Sequence, residues 1–164
     1  MKKQKHSQSD VIVRMLRTIV DFLSRSSSVK AMFEYYGVPI SRIHDVEIYF
    51  ADLPVSAKTK DKIIYINNKF IENGELADEL HYIVHELCHW LQQECNDPYN
   101  RIPEEKTEYL DMPSELEAFI YQANFIREFY GDDAAEEYVD DLLDFHKVKG
   151  AARIKKREAL LLST

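Results

Sequence analysis

Within residues 81–89, His81, His85, Glu86 and His89 bring together an unusual density of groups able to do chemistry. His85 and His89 are separated by four positions, which in a helix sets them one turn apart on one face, so that two imidazoles can grip a single metal ion. Glu86 follows the first histidine and is rotated to the side of the pair. From there it does not ligate, but it reaches a metal-bound water and can act as its general base. Zinc suits neutral imidazole nitrogens and tolerates an open fourth position. Three histidines at i, i+4 and i+8 are also a poor filling for a solvated face, which would normally hold Lys and Glu. Each is a weak helix former and mostly neutral at pH 7.

The element that must carry this motif is a helix. Residues 75–94 read as one of about 20 residues, with Leu80, Ile83, Val84, Leu87 and Leu91 in a stripe roughly 100° wide. Asp78, His81, His85, His89 and Gln92 occupy the opposite side. Cys88 lies off the histidine stripe and reads as a small buried filler.

A catalytic metal needs a third protein ligand. His81 is two turns from His89 and cannot complete a tetrahedron with both other histidines, though it can border the cleft. A second helix supplies a better source. After Pro113, Ser114 can cap a helix running to Gly131, with Leu116, Phe119, Ile120, Ala123, Ile126 and Tyr130 as its apolar stripe. Glu115 lies at the edge of that stripe, in the first turn, while Glu117 points largely away. An acidic group bordering a buried face is costly unless paired or bound to metal; a carboxylate in the first turn also complements the helix dipole. The two readings of Glu115 stay open at this point.

The remaining elements frame this pair of helices. Residues 1–9 are polar and read as a disordered tail. A helix starts at Asp10 and is broken by Ser26–Ser28, and a short one ends at Gly37. Residues 46–50 and 62–70 read as two strands of an antiparallel hairpin, with SAKTKD as the turn between them. Asn67 and Asn68 end the second strand, where turn chemistry is the favoured reading. A further helix begins near Asp132 and Asp133, and residues 147–164 form a basic C-terminal helix or tail. The expected fold is α+β and mostly helical: a single domain over residues 10–146, with a small antiparallel sheet packed on the active-site helix.

Composition narrows the function classes. The 164 residues carry a net charge of −8 and only four glycines. An acidic chain argues against a nucleic-acid binder, and scarce glycine argues against a Gly-rich nucleotide fold. No apolar run approaches the roughly 20 residues of a membrane span, so no membrane partner is expected. Cys88 and Cys95 sit two helical turns apart, too far for a disulfide, and no export signal is legible. The expected compartment is the cytoplasm.

The stretches VHELCHWLQ and PSELEAFIYQ resemble the zincin metallopeptidases of the gluzincin type, and in particular the small, minimal zincin domains of phage and bacterial proteins. The resemblance covers roughly residues 62–126. In several such families the third ligand lies in an E-x-x-A pattern, which Glu115-Leu116-Glu117-Ala118 matches. The resemblance implies His85, His89 and Glu115 as zinc ligands, Glu86 as base and a peptide or protein substrate. It also implies that the strand IIYIN is an edge strand to which extended substrate adds. Phe119 stands where those families often carry an Asp, which leaves that supporting role without a residue. Candidates for stabilising the oxyanion are His81, Tyr99 and Tyr109. Two alternatives accompany the peptidase reading. One is a non-catalytic binding or regulatory module that retains the zinc; the other is a purely structural zinc site, in which Glu86 would have no task.

Overall fold

The structure, a computed structural model, describes residues 8–96 and 109–162. Two serines start the first two helices. The Ser9 hydroxyl accepts from the Ile12 N–H and opens α1 (Asp10–Leu23); the Ser26 hydroxyl accepts from the Val29 N–H and opens α2 (Ser27–Tyr35). The cap of α1 is thus Ser9, and Asp10 sits in the first turn, where it complements the dipole. Gly37, at φ 66°, stops α2 in a left-handed conformation that a side chain would disfavour.

Three strands follow: β1 (Glu47–Ala51), β2 (Ala57–Lys60) and β3 (Ile63–Asn67). The sheet order is β1-β3-β2, with β1 parallel and β2 antiparallel to β3. This corrects the expected all-antiparallel hairpin: the segment read as its turn is itself strand β2, and β1 pairs in parallel with β3. Strand β2 carries little sequence signal, because Lys58 and Lys60 are exposed and the strand has only four residues. Its turn, Asp61-Lys62, also lacks the glycine that advertises a tight hairpin. Both turn residues have positive φ, 52° and 61°. Gln93 Oε1 accepts from the Lys62 N–H at 2.7 Å, and Lys62 Nζ pairs with Glu94 at 3.1 Å, so the end of the next long helix holds the turn in place. Asn67 does turn chemistry: its amide donates to the Leu53 and Val55 carbonyls, and its oxygen accepts from the Lys69 N–H.

After a short α3 (Lys69–Glu72), the long helix is α4 (His81–Glu94). It is shorter than expected, because Leu76–Asp78 forms a 3-10 turn and Glu79 leaves helical geometry at φ −119°, ψ 22°. Helix α5 (Pro113–Tyr130) starts with Pro113, whose missing N–H costs nothing at that position. Helices α6 (Asp132–Phe145) and α7 (Gly150–Leu160) complete the chain. Gly131 rather than Asp132 or Asp133 caps α6. The basic C-terminal segment is a helix with Leu160 fully buried. Its Arg153 and Arg157 pair with Asp140, and Arg157 also with Glu136.

Helix α5 is the shared wall of two apolar clusters. Ala118, Tyr121 and Phe125 pack with α1, α2, the sheet and α4, whereas Phe119 and Ala123 pack with Val139, Leu143 and Leu160 of α6 and α7. Leu116, Phe119, Ile120 and Ala123 of the stripe legible in the sequence thus pack towards α6 and α7. A helix buried on two sides has two apolar stripes, and the more conspicuous one need not face its nearest neighbour in the sequence.

Glu128, near the end of α5, ties it to α2. Its carboxylate accepts from the hydroxyls of Ser26, Ser27 and Ser28 at 2.7, 2.7 and 2.6 Å, and from the main-chain N–H groups of Ser27 and Ser28 at 2.8 and 3.0 Å. Burial alone raises its pKa, but these bonds outweigh burial and bring it down to about 2. Since that lies below the unfolded value of 4.5, the stabilisation is complete above about pH 4.5 and is lost as the pH falls through 2. Glu128→Gln should therefore lower the free energy of urea unfolding at pH 7 by about 1–2 kcal/mol. It should also flatten the loss of stability between pH 4.5 and 2.

Candidate metal centre

Helices α4 and α5 bring His85, His89 and Glu115 together. His85 Nε2 and His89 Nε2 lie 3.2 Å apart, and Glu115 Oε2 lies 3.1 Å from the first and 3.2 Å from the second. Four-coordinate binding with bonds of about 2.0–2.1 Å separates ligand atoms by about 3.3–3.4 Å. The triangle therefore fits one small cation and leaves a further coordination position open.

Two buried amides aim the imidazoles. Gln122 Oε1 is 2.9 Å from His85 Nδ1, and Gln92 Oε1 is 2.8 Å from His89 Nδ1. An amide oxygen only accepts, so each Nδ1 carries a hydrogen and each Nε2 is the atom left to face a bound ion. The direction of Gln92 is set by its amino group, which donates to the Ser114 carbonyl at 3.1 Å. Both glutamines are essentially fully buried, at 0% and 1% exposure, a burial that needs every polar atom partnered. Neither emerges from the motif. Their signal is positional: Gln92 is three residues past His89, and Gln122 is seven past Glu115 on the same line of α5. Gln122 fills the supporting role that Phe119 cannot. The Phe119 ring instead packs edge-on against His85, with centroids 4.5 Å apart.

Three atoms bearing lone pairs at this spacing repel one another unless a cation lies among them. A proton serves in the metal-free protein. Burial lowers the pKa of His89, but the hydrogen bond and charge of Glu115, with the charge of Glu86, outweigh it and raise the pKa to about 9. Glu115 responds in the opposite sense: burial pushes it up, and the two histidines pull it well below the usual carboxylate range.

Glu86 does not join the triangle. It is buried, at 6% exposure, and its Oε2 accepts from the Thr59 hydroxyl of β2 at 2.6 Å. A cavity of about 570 Å³ opens beside it, lined by His85, Glu86, Tyr109, Phe119 and the Val55–Ala57 segment that leads into β2. The edge strand next to the histidine helix is thus β2. IIYIN, expected at the edge, is the central strand, flanked on both sides.

The other candidates divide. Tyr109 lines the cavity and bonds to Glu115; burial, then the charges of Glu115 and Glu86, raise its phenol far above the usual value and keep it a donor. His81 is turned away from the cavity, between Glu79 Oε2 at 2.8 Å and Gln122 Nε2 at 2.7 Å, and so does not border the cleft as expected. Tyr99 lies outside the described residues. Cys88 is a buried filler, and no disulfide joins it to Cys95. Glu117 is half-buried rather than on the surface; its carboxylate accepts from the Tyr36 hydroxyl at 2.5 Å, on the side of α5 facing α2.

No family model, curated protein or solved structure matches the chain. No helix among the described residues is long and apolar enough to cross a membrane.

Glu115→Ala should weaken metal binding at least tenfold, about 1.4 kcal/mol, in a chelator competition titration. Glu117→Ala should leave that affinity unchanged while lowering the melting temperature, because it breaks the Tyr36 contact.

Proposed function

We propose that this chain is a zinc-dependent peptidase of the zincin type, with His85, His89 and Glu115 as ligands and Glu86 as general base. The observation that carries the reading is the buried Glu86 carboxylate. It stands beside a three-donor cation site, contributes no ligand, and borders a cavity that His85 also lines. A structural zinc site has no use for such a group, and burying a carboxylate is costly.

The bound ion supplies Lewis acidity, the property that lets water ionise near pH 7 and polarises a carbonyl. The chain's own groups do the rest. Glu86 takes a proton from the attacking water and returns it to the leaving amine, held in place by Thr59. Tyr109, kept protonated, offers a hydrogen bond to the oxygen that gains charge as the carbonyl is attacked. An extended peptide lies along Val55–Ala57, at the edge of the sheet, with its side chains in the cavity.

The test is cleavage of a mixed peptide library by zinc-loaded protein, read by mass spectrometry. Glu86→Gln should keep its zinc and lose at least 100-fold in turnover, because an amide cannot serve as base. Tyr109→Phe should lower kcat roughly 10- to 100-fold with zinc affinity retained. Cleavage undiminished in Glu86→Gln would move the chemistry to another residue, and zinc-loaded wild type that cleaves nothing would favour a zinc-retaining binding module.

A further inference from the structure

A chain of hydrogen bonds runs from the surface of the protein to the back of a candidate ligand. Glu79 Oε2 lies 2.8 Å from His81 Nε2, His81 Nδ1 lies 2.7 Å from Gln122 Nε2, and Gln122 Oε1 lies 2.9 Å from His85 Nδ1. The His81 side chain is 13% exposed and that of Glu79 33% exposed, so the chain opens to solvent progressively towards its far end. We propose that Glu79 and His81 are positioning residues, which act through Gln122 to hold His85 in the one tautomer that can bind a metal. This rests on the metal-site reading but not on peptide hydrolysis.

What the chain of bonds transmits is direction. Gln122 is a reversible element, since its amide has a donor end and an acceptor end of nearly the same shape. In the orientation with the oxygen towards His85, Nδ1 carries the hydrogen and Nε2 has its lone pair free for the ion. In the reverse orientation the amino group faces Nδ1, which must then accept. The hydrogen moves to Nε2 and points at His89 and Glu115, and the ligand is lost. Nothing in Gln122 itself chooses between the two states.

Glu79 makes the choice. An ionised carboxylate only accepts, so His81 must present Nε2–H to it. A neutral imidazole with its hydrogen on Nε2 accepts at Nδ1, so Gln122 must turn its amino group to His81 and its oxygen to His85. Burial lowers the His81 pKa to about 4, so the ring is neutral. The opposite tautomer of His81 would set a lone pair against the Glu79 carboxylate at 2.8 Å. Gln92 reaches the same end in one step, because the carbonyl of Ser114 fixes its direction. Among the described residues, the side of Gln122 away from His85 meets no such carbonyl. It meets His81, and the polarity has to be imported from Glu79.

The test uses the full-length protein at pH 8 with His81→Phe, which keeps a ring but no nitrogen, and Glu79→Gln, whose amide imposes no direction. Each should weaken zinc binding about tenfold or more in chelator competition, within the range expected for groups that orient ligands. In metal-free protein, nitrogen NMR should show His85 passing from a single Nδ1–H tautomer to a mixture containing Nε2–H. Gln122→Glu supplies an acceptor to His85 whatever His81 does, so adding it to either variant should restore the tautomer and most of the affinity. A general loss of structure would not be rescued in this way. Glu79→Gln, conservative and partly exposed, keeps the test open should His81→Phe fail to fold. If both variants keep wild-type affinity and tautomer, or if Gln122→Glu rescues neither, the proposal is overturned. Should the wild type take up no zinc, the metal-site reading fails, while the metal-free tautomer still decides the chain.

Discussion

Two imidazole nitrogens and a carboxylate oxygen within 3.2 Å of one another, each presenting a lone pair, form an arrangement that only a cation relieves. Holding them there requires packing that does not yield and hydrogen bonds that allow one tautomer each. Helix α4 meets the first requirement by being buried on both faces: Ile83, Val84, Leu87 and Leu91 lie in the main core, and His85, Glu86 and Gln92 are buried as well. The two glutamines meet the second. The surrounding protein supplies the energy that keeps mutually repelling atoms in place, which is why the site lies on the firmest pair of helices and not on loops.

Helix α5 decides how the site opens outward. Its two apolar stripes separate a core of α1, α2, the sheet and α4 from a smaller cluster with α6 and α7. Glu115 and Gln122 lie along the seam between them, so the same helix that contributes the carboxylate also backs His85. The cavity forms between the α6 side and the sheet, and Phe119 is the ring that joins the cavity to His85. Strand β2 supplies the opposite wall and, through Thr59, the partner of Glu86. The register of β2 depends in turn on a hairpin turn anchored by Gln93 and Glu94, at the end of α4. The histidine helix therefore positions Glu86 twice, once by its own backbone and once through the strand it anchors.

The reading of α4 as a helix, of His85 and His89 on one face and of Glu86 to the side was already available in the residues. It depends only on helical periodicity, which is a local property. The pairing of Glu115 with that motif was also within reach, though partly for the wrong reason, since the stripe it borders faces α6 and α7. The boundaries near Glu79 and the identity of β2 were not legible. A 3-10 turn competes with a helix start by small energy differences, and a four-residue strand with alternating lysines resembles a loop until its partner strand and Glu86 are placed against it.

What the sequence determined alone was the set of donors and their local phase: two imidazoles one turn apart, a carboxylate to their side, and a further helix beginning with acid. Only the tertiary structure decided which hydrogen sits on which nitrogen. Tautomers depend on partners distant in the chain, Gln122 behind His85 and the Ser114 carbonyl behind Gln92, and no periodicity encodes a contact between residues 22 to 41 positions apart. The parallel pairing of β1 with β3 was decided in the same way, because strand order is settled by the faces that α4 and the core cover and not by either strand's own pattern.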